Sequence, residues 1–106
     1  MGMRVISRKT LREHWETPGR GDSEDPLRSW HKVAKAARWT SPADIKAVYG
    51  NASIVGDRVV FNIAGNKYRL VVWADYARQA LLVKFVGTHG EYDAIDVRTI
   101  GEPEET

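Results

Sequence analysis

The chain contains no cysteine, which removes disulfide staples, thiolate nucleophiles and cysteine-based zinc sites from consideration and fits a reducing compartment. Long apolar runs are missing too. The longest, Leu70 to Ala74, is far too short to span a bilayer, and the N-terminus lacks the basic-then-apolar layout of a secretion signal. A cytoplasmic protein without membrane association is therefore expected. A length of 106 residues leaves no room for a catalytic domain beside a separate regulatory one, so one domain is expected. Met1-Gly2-Met3 sets two methionines around a glycine, as expected if Met3 is the natural start, and the fold is read from Met3 onward.

What is present is an ordinary globular composition, 42% hydrophobic and 28% charged, which supports a modest core and excludes a long disordered chain. The formal charge is +2, but the last five residues hold three acids and no base. The rest of the chain thus has 16 bases against 11 acids, or +5. With a pI near 9.0 such a body is drawn to phosphates, although a solvated basic surface gives the same numbers.

Along the chain, Val5 and Ile6 mark a first strand within Met3 to Ser7, with Ser7 placed to cap a helix over Lys9 to Glu16 in which Leu11 and Trp15 share a face. Thr17 to Asp22 ends it in a loop. Asp25-Pro26 has the form of a cap followed by proline at the first helical position, opening a second helix with an apolar stripe of Leu27, Trp30, Val33, Ala34 and Ala37. Ser41-Pro42-Ala43-Asp44 repeats the signal for a third helix, with Ile45, Val48 and Tyr49, closed by Gly50.

Beyond Gly50 the period changes to that of strands. Ser53 to Val55 and Arg58 to Ile63 flank a Gly56-Asp57 turn; Ala64-Gly65-Asn66 leads into Lys67 to Ala74; and Leu81 to Val86 forms a last strand. Thr88-His89-Gly90-Glu91 has the form of a capping box, so a short C-terminal helix is expected from about His89 to Asp96. Helices first and a meander second give an α+β domain over residues 3–100, with the helices on one face of an antiparallel sheet and the other face open. An acidic tail, 101–106, is expected to fray.

Alternation on the strand Lys67 to Ala74 turns Tyr68, Leu70 and Val72 toward the helices and Lys67, Arg69, Val71 and Trp73 toward the open face. Lys84 is the only charge in the run Leu81 to Val86. These cations read either as a phosphate-binding face or as solvated residues that discourage edge pairing. Thr88-His89-x-Glu91-Tyr92-Asp93 follows where the last strand ends, setting a histidine, a tyrosine and carboxylates at the rim of the same sheet. In the first turn of a helix, His89 would be held neutral by the positive end of the dipole, as a general base requires, with Tyr92 on the same helical face. The bland alternative is a capping turn with a merely polar histidine.

His14 and His31 fall on separate helices among charged neighbours, and no metal site or cofactor is expected. Of the four tryptophans, Trp15 and Trp30 sit on apolar stripes and are expected in the core, leaving Trp39 and Trp73 open to base stacking.

Val60-Phe61-Asn62-Ile63-Ala64-Gly65-Asn66-Lys67-Tyr68-Arg69-Leu70 and Phe85-Val86-Gly87-Thr88-His89-Gly90-Glu91-Tyr92-Asp93 resemble the HigB toxin family, as do Arg4-Val5-Ile6-Ser7 and the segment from Trp39 to Lys46. The resemblance implies a RelE-like fold, messenger-RNA cleavage with or without the ribosome, a bacterial cytoplasmic setting and a HigA-like helix-turn-helix antitoxin. Carried over by position, it implies an active face of Asn66, Lys67, Arg69, Lys84, His89 and Tyr92. Metal-free RNA cleavage needs a base for the ribose 2′-OH, cations on the scissile phosphate and an acid for the leaving oxygen. In that scheme His89 is the base or acid, Lys67, Arg69 and Lys84 bind phosphate, and Tyr92 stacks or donates a proton. Asn66 and Trp73 complete the RNA contacts. Two alternatives keep much of the same sequence: a non-catalytic inhibitor of the ParE type, or a plain RNA-binding module.

Overall fold

A computed structural model describes residues 2–101; the acidic residues 102–106 lie outside the described range. The elements follow as β1 (Arg4–Ile6), α1 (Arg8–Glu16), a 3-10 turn (Gly21–Ser23), α2 (Glu24–Ala36), α3 (Pro42–Val48), β2 (Ser53–Val55), β3 (Arg58–Ile63), β4 (Tyr68–Asp75), β5 (Ala80–Thr88) and α4 (His89–Asp93). Among the described residues no helix is long and apolar enough to cross a membrane.

The helix starts use different devices from one another. Ser41 caps α3 as its sequence demands, accepting the Asp44 N–H at 3.4 Å, with Pro42 at the first helical position. Ser7 does not cap α1 with its side chain. Its backbone is left-handed (φ 73°), because the chain must turn sharply out of β1, and its carbonyl rather than its hydroxyl takes the Thr10 N–H. The second helix begins at Glu24, earlier than Asp25-Pro26 predicts, so Pro26 is its third residue, where a missing N–H is still harmless. Ser23 precedes it but is no cap either, since its hydroxyl donates to the Arg20 carbonyl and meets His14 Nδ1. On α2 the buried stripe is Leu27, Trp30 and Ala34, while Val33 turns to solvent.

The five strands form one sheet in the order β1-β5-β4-β3-β2. It is antiparallel except at one edge, where β1 pairs parallel to β5 and is held by the Arg4 N–H bond to the Gln79 carbonyl. The β2–β3 hairpin turns through Gly56-Asp57 as expected, with Gly56 at positive φ. One cluster of buried side chains joins Met3, Leu11, Leu27, Trp30, Trp39 and Ile45 to the inward residues of β3, β4 and β5, among them Phe61, Tyr68, Leu70, Val72, Leu81 and Val83. Trp30 meets Phe61 edge-on at 5.4 Å between centroids, and Tyr49 meets Phe61 at 5.2 Å. Trp39 is part of this core, which ends its candidacy as a stacking platform.

The opposite face is less open than alternation implies. Val60 and Val71 pair across β3 and β4 and point away from the helices, yet both are buried. The chain after α4 bonds back to residues of β3 and β5. Arg58, also buried, donates from Nε to the Arg98 carbonyl at 3.3 Å, and Lys84 Nζ reaches the Gly101 carbonyl at 3.5 Å.

Leu27→Ala and Leu70→Ala each remove a fully buried side chain, and each is expected to cost about 2–5 kcal/mol in urea unfolding. Val48→Ala, at a residue 55% exposed, is expected to stay within about 0.5 kcal/mol of the parent.

Candidate active site

Strand register decides which candidate residues meet. Tyr68 lies opposite Thr88 and Arg69 opposite Gly87, so Lys67, which precedes Tyr68, and His89, which follows Thr88, come from neighbouring strand ends. Opposed Cα atoms in such a ladder are about 5 Å apart. Two of the proposed residues stay outside this group. Val71 faces Phe85 while Val72 faces Val83, which makes Lys84 the extra residue of a β-bulge. Lys84 lies three residues before Gly87, about 10 Å along β5, with its side chain against Gly101. Trp73 sits opposite Leu82 and Arg58, four residues and about 13 Å down β4 from Arg69.

At the rim, Thr88 starts α4 with a reciprocal capping box. Its hydroxyl accepts the Glu91 N–H at 3.2 Å, and the Glu91 carboxylate accepts the Thr88 N–H at 2.9 Å. Two side-chain ends crowd position 87. A Cβ there would come within 2.6 Å of Glu91 Oε1 and 2.7 Å of the Phe85 ring. His89 is 58% exposed by side chain, with Nδ1 3.3 Å from Asp93 Oδ2. That contact engages Nδ1 and leaves Nε2 outside the pair. Tyr92 is half-buried, one turn further along the same short helix. Arg69 Nη1 donates to the Asn66 carbonyl at 2.9 Å and the Tyr68 carbonyl at 3.3 Å, so Asn66 engages the site through its backbone.

Lys67 departs from the alternation. Its ammonium pairs with Asp22, on the 3-10 turn before α2, while the Tyr68 hydroxyl donates to the other oxygen of the same carboxylate at 2.6 Å. Lys67 and then Tyr68 hold the Asp22 carboxyl below its usual range. In return Asp22 raises both the Lys67 ammonium and the Tyr68 phenol. The cation remains 54% exposed by side chain.

A second tie comes from the same loop. Arg20 grips Glu91 with two parallel bonds of 2.8 Å, and this guanidinium, aided by the Thr88 N–H, lowers the Glu91 carboxyl to about 2. Beneath the loop His14 is 5% exposed, its Nδ1 2.8 Å from Ser23 Oγ and its ring edge-on to Tyr68 at 4.7 Å. Burial first, and Arg20 next, push His14 below its ordinary value. The sequence sets Glu91 among the rim residues but gives Arg20 and Asp22 no role beyond their loop. The signal available for them was the pairing of opposite charges at Arg20 and Asp22 with Glu91 and Lys67, which only the fold brings into register.

The HigB toxin family, described as the RelE-like toxic component of a toxin-antitoxin system, matches residues 23–95. The chain belongs to the HigB toxin family. A search of curated proteins found no match. The match spans α2 to α4 and so contains Asn66, Lys67, Arg69, Lys84, His89, Glu91 and Tyr92. His14, Arg20 and Asp22 precede it. As a HigB-family protein the chain is the toxin of a toxin-antitoxin system, with an antitoxin for a partner. Its α+β architecture is that of a RelE-like toxin, with a five-stranded mixed sheet and a short C-terminal helix.

Two pH windows follow for stability. The folded chain resists protonating His14 while the unfolded chain takes up that proton near 6.5, so stability falls as the pH drops below about 6.5. Glu91, about 2 when folded against 4.5 ordinarily, contributes stability that is complete above about 4.5 and is lost as the pH falls toward 2. Asp22 and Asp44 act in the same direction. Urea midpoints taken from pH 8 to 2.5 should fall in both windows, and Glu91→Gln should make the lower fall shallower. Parallel curves for parent and variant below pH 4.5 would show that the Arg20–Glu91 tie is not a source of it.

Proposed function

We propose that this toxin is an endoribonuclease that cuts messenger RNA by attack of a ribose 2′-OH on the adjacent phosphorus, releasing the 5′ oxygen. The observation that carries the reading is the β4–β5 register, which sets Lys67 and Arg69 beside the strand end that bears His89. A single phosphodiester at this rim would meet cations and an imidazole together. His89 serves as the base or acid through Nε2, with Tyr92, three residues on, stacking on a base or supplying the second proton-transfer group. Arg69 binds the scissile phosphate with its forked donors. Lys67 does so once an RNA phosphodiester, a monoanion like the Asp22 carboxylate, replaces Asp22 as its counter-ion. Lys84 and Trp73, further down the sheet, suit a neighbouring phosphate and base, and Asn66 supports Arg69. No step of this chemistry calls for a metal or organic cofactor.

Residues 3–100 act as the single toxin domain, since one buried cluster runs from Met3 to Val83. The protein works in the cytoplasm, on free or ribosome-bound message, and is neutralised by a HigA-like helix-turn-helix antitoxin.

His89→Ala should slow cleavage about a hundredfold or more, with an unchanged melting temperature because the side chain is exposed. New RNA 5′ ends are mapped with purified toxin, in the presence and absence of ribosomes, and a 2′-deoxy substitution at the cut site should abolish the product. Growth arrest by both parent and His89→Ala with RNA intact would overturn the nuclease reading in favour of a non-catalytic inhibitor.

A further inference from the structure

The strongest feature outside the rim lies at the opposite edge of the sheet. A groove of about 660 Å³ runs between β1 and α2, with its walls formed by Arg4, Val5, Ile6, Arg8, His31 and Lys35. Its lining includes three permanent cations and a histidine, and no acid. Arg4, Arg8 and Lys35 are exposed, as is much of Ile6, so the charges form a rim above apolar surface. The positive field inside is visible at His31. Burial first, then Arg8 and Lys35, push that imidazole below its ordinary value.

The backbone adds a second feature. Among the described residues β1 pairs only with β5, and the Arg4 N–H points to β5 through its bond to the Gln79 carbonyl at 2.8 Å. Peptide groups alternate along a strand, so those of Val5 point the other way, out of the sheet edge and toward the groove. Such an edge can accept another strand. On one side of the sheet, therefore, stand the outward peptide groups of Val5, the partly exposed Ile6 and, among the described residues, three cations with no acid in the groove lining; the outward N–H of Met3 is already taken by the Ala37 carbonyl at 3.0 Å.

We propose that this groove docks the antitoxin through an acidic segment with interspersed apolar side chains, laid in extended form along β1. The occupant is fixed by complementarity. Main-chain bonds to Val5, whose own side chain packs inward on the core, require a peptide, the partly exposed Ile6 favours an apolar side chain between its charges, and Arg4, Arg8 and Lys35 require carboxylates. RNA would satisfy the cations alone and leave Ile6 and the edge groups unmatched. A second copy of the toxin would bring the same cations against themselves. The proposal rests on the toxin's place in a toxin-antitoxin pair and is independent of the nuclease reading.

The test uses the complex with the antitoxin encoded by the neighbouring gene. Hydrogen exchange of toxin alone and in complex should show new protection at Arg4–Ile6. The double reversal Arg4→Glu/Lys35→Glu should weaken the complex at least tenfold, and Lys32→Glu, an exposed reversal on α2 outside the groove, should leave it unchanged. Circular dichroism melts check that each variant folds, which is expected because all three side chains are exposed. Unchanged affinity of the double variant, or protection that spares β1, would overturn the proposal. So would protection of β1 by an RNA oligonucleotide or by self-association of the toxin in place of the antitoxin. RNA cleavage by the free double variant is read in parallel. Its loss or survival bears on the nuclease reading and leaves the docking result to stand by itself.

Discussion

Pairing of β4 with β5 is the constraint on which the rest of the molecule depends. These two strands occupy the middle of the sheet, and their inward residues, Tyr68, Leu70, Val72, Leu81 and Val83, meet the helices. A slip of one residue would exchange the faces and carry Arg69 inward among Trp30 and Phe61, so burial itself fixes the register. The same register sets Lys67 and Arg69 against Thr88 and His89. The bulge at Lys84 absorbs one residue between two inward-facing stretches of β5, so that both Leu81-Val83 and Val86 can face the core while Gly87 still falls opposite Arg69.

The ties made by Arg20 and Asp22 act on this frame in a different way. Ion pairs as exposed as these contribute modestly to global stability. Their effect is positional. Arg20 fixes the carboxylate that closes the capping box of α4, and hence the point at which His89 leaves the sheet, while Asp22 draws Lys67 and the Tyr68 hydroxyl to the helix side. A short loop between α1 and α2 thus controls both the imidazole-bearing helix and one of the cations. His14 and Ser23 underlie that loop, which gives a buried, uncharged histidine a structural reason to exist apart from proton transfer.

Much of this was legible in the chain because the signals were local. Ser41-Pro42, the Gly56-Asp57 turn and the Thr88-x-x-Glu91 box each state their structure within four residues, and all three form as read. Ser7 and Asp25-Pro26 carried the same kind of signal and lost to their surroundings: a sharp exit from β1 in one case, a helix that already starts at Glu24 in the other. The turn of Lys67 toward Asp22 was not legible, because 45 residues separate the partners and alternation applies only inside the strand, which begins at Tyr68. Nor could alternation reveal that the chain after α4 returns to bond Arg58 and Lys84, residues 40 and 17 positions earlier.

The placement of the β1 groove bears on how such a toxin could be silenced. β1 pairs with the start of β5, its last residue Ile6 lying opposite Leu82, whereas Thr88 at the other end of β5 opens the rim. Six residues of strand separate the two, about 20 Å. A segment seated on β1 therefore cannot by itself occlude Arg69 or His89. Inhibition from that position needs either a body of antitoxin large enough to overhang the end of the sheet, or a bulk that keeps the rim from a large substrate while a small one still enters. With the antitoxin docked as proposed, the sheet's geometry separates its affinity, set at one edge by charge and backbone pairing, from its inhibitory action, set by how far the bound partner extends along β5.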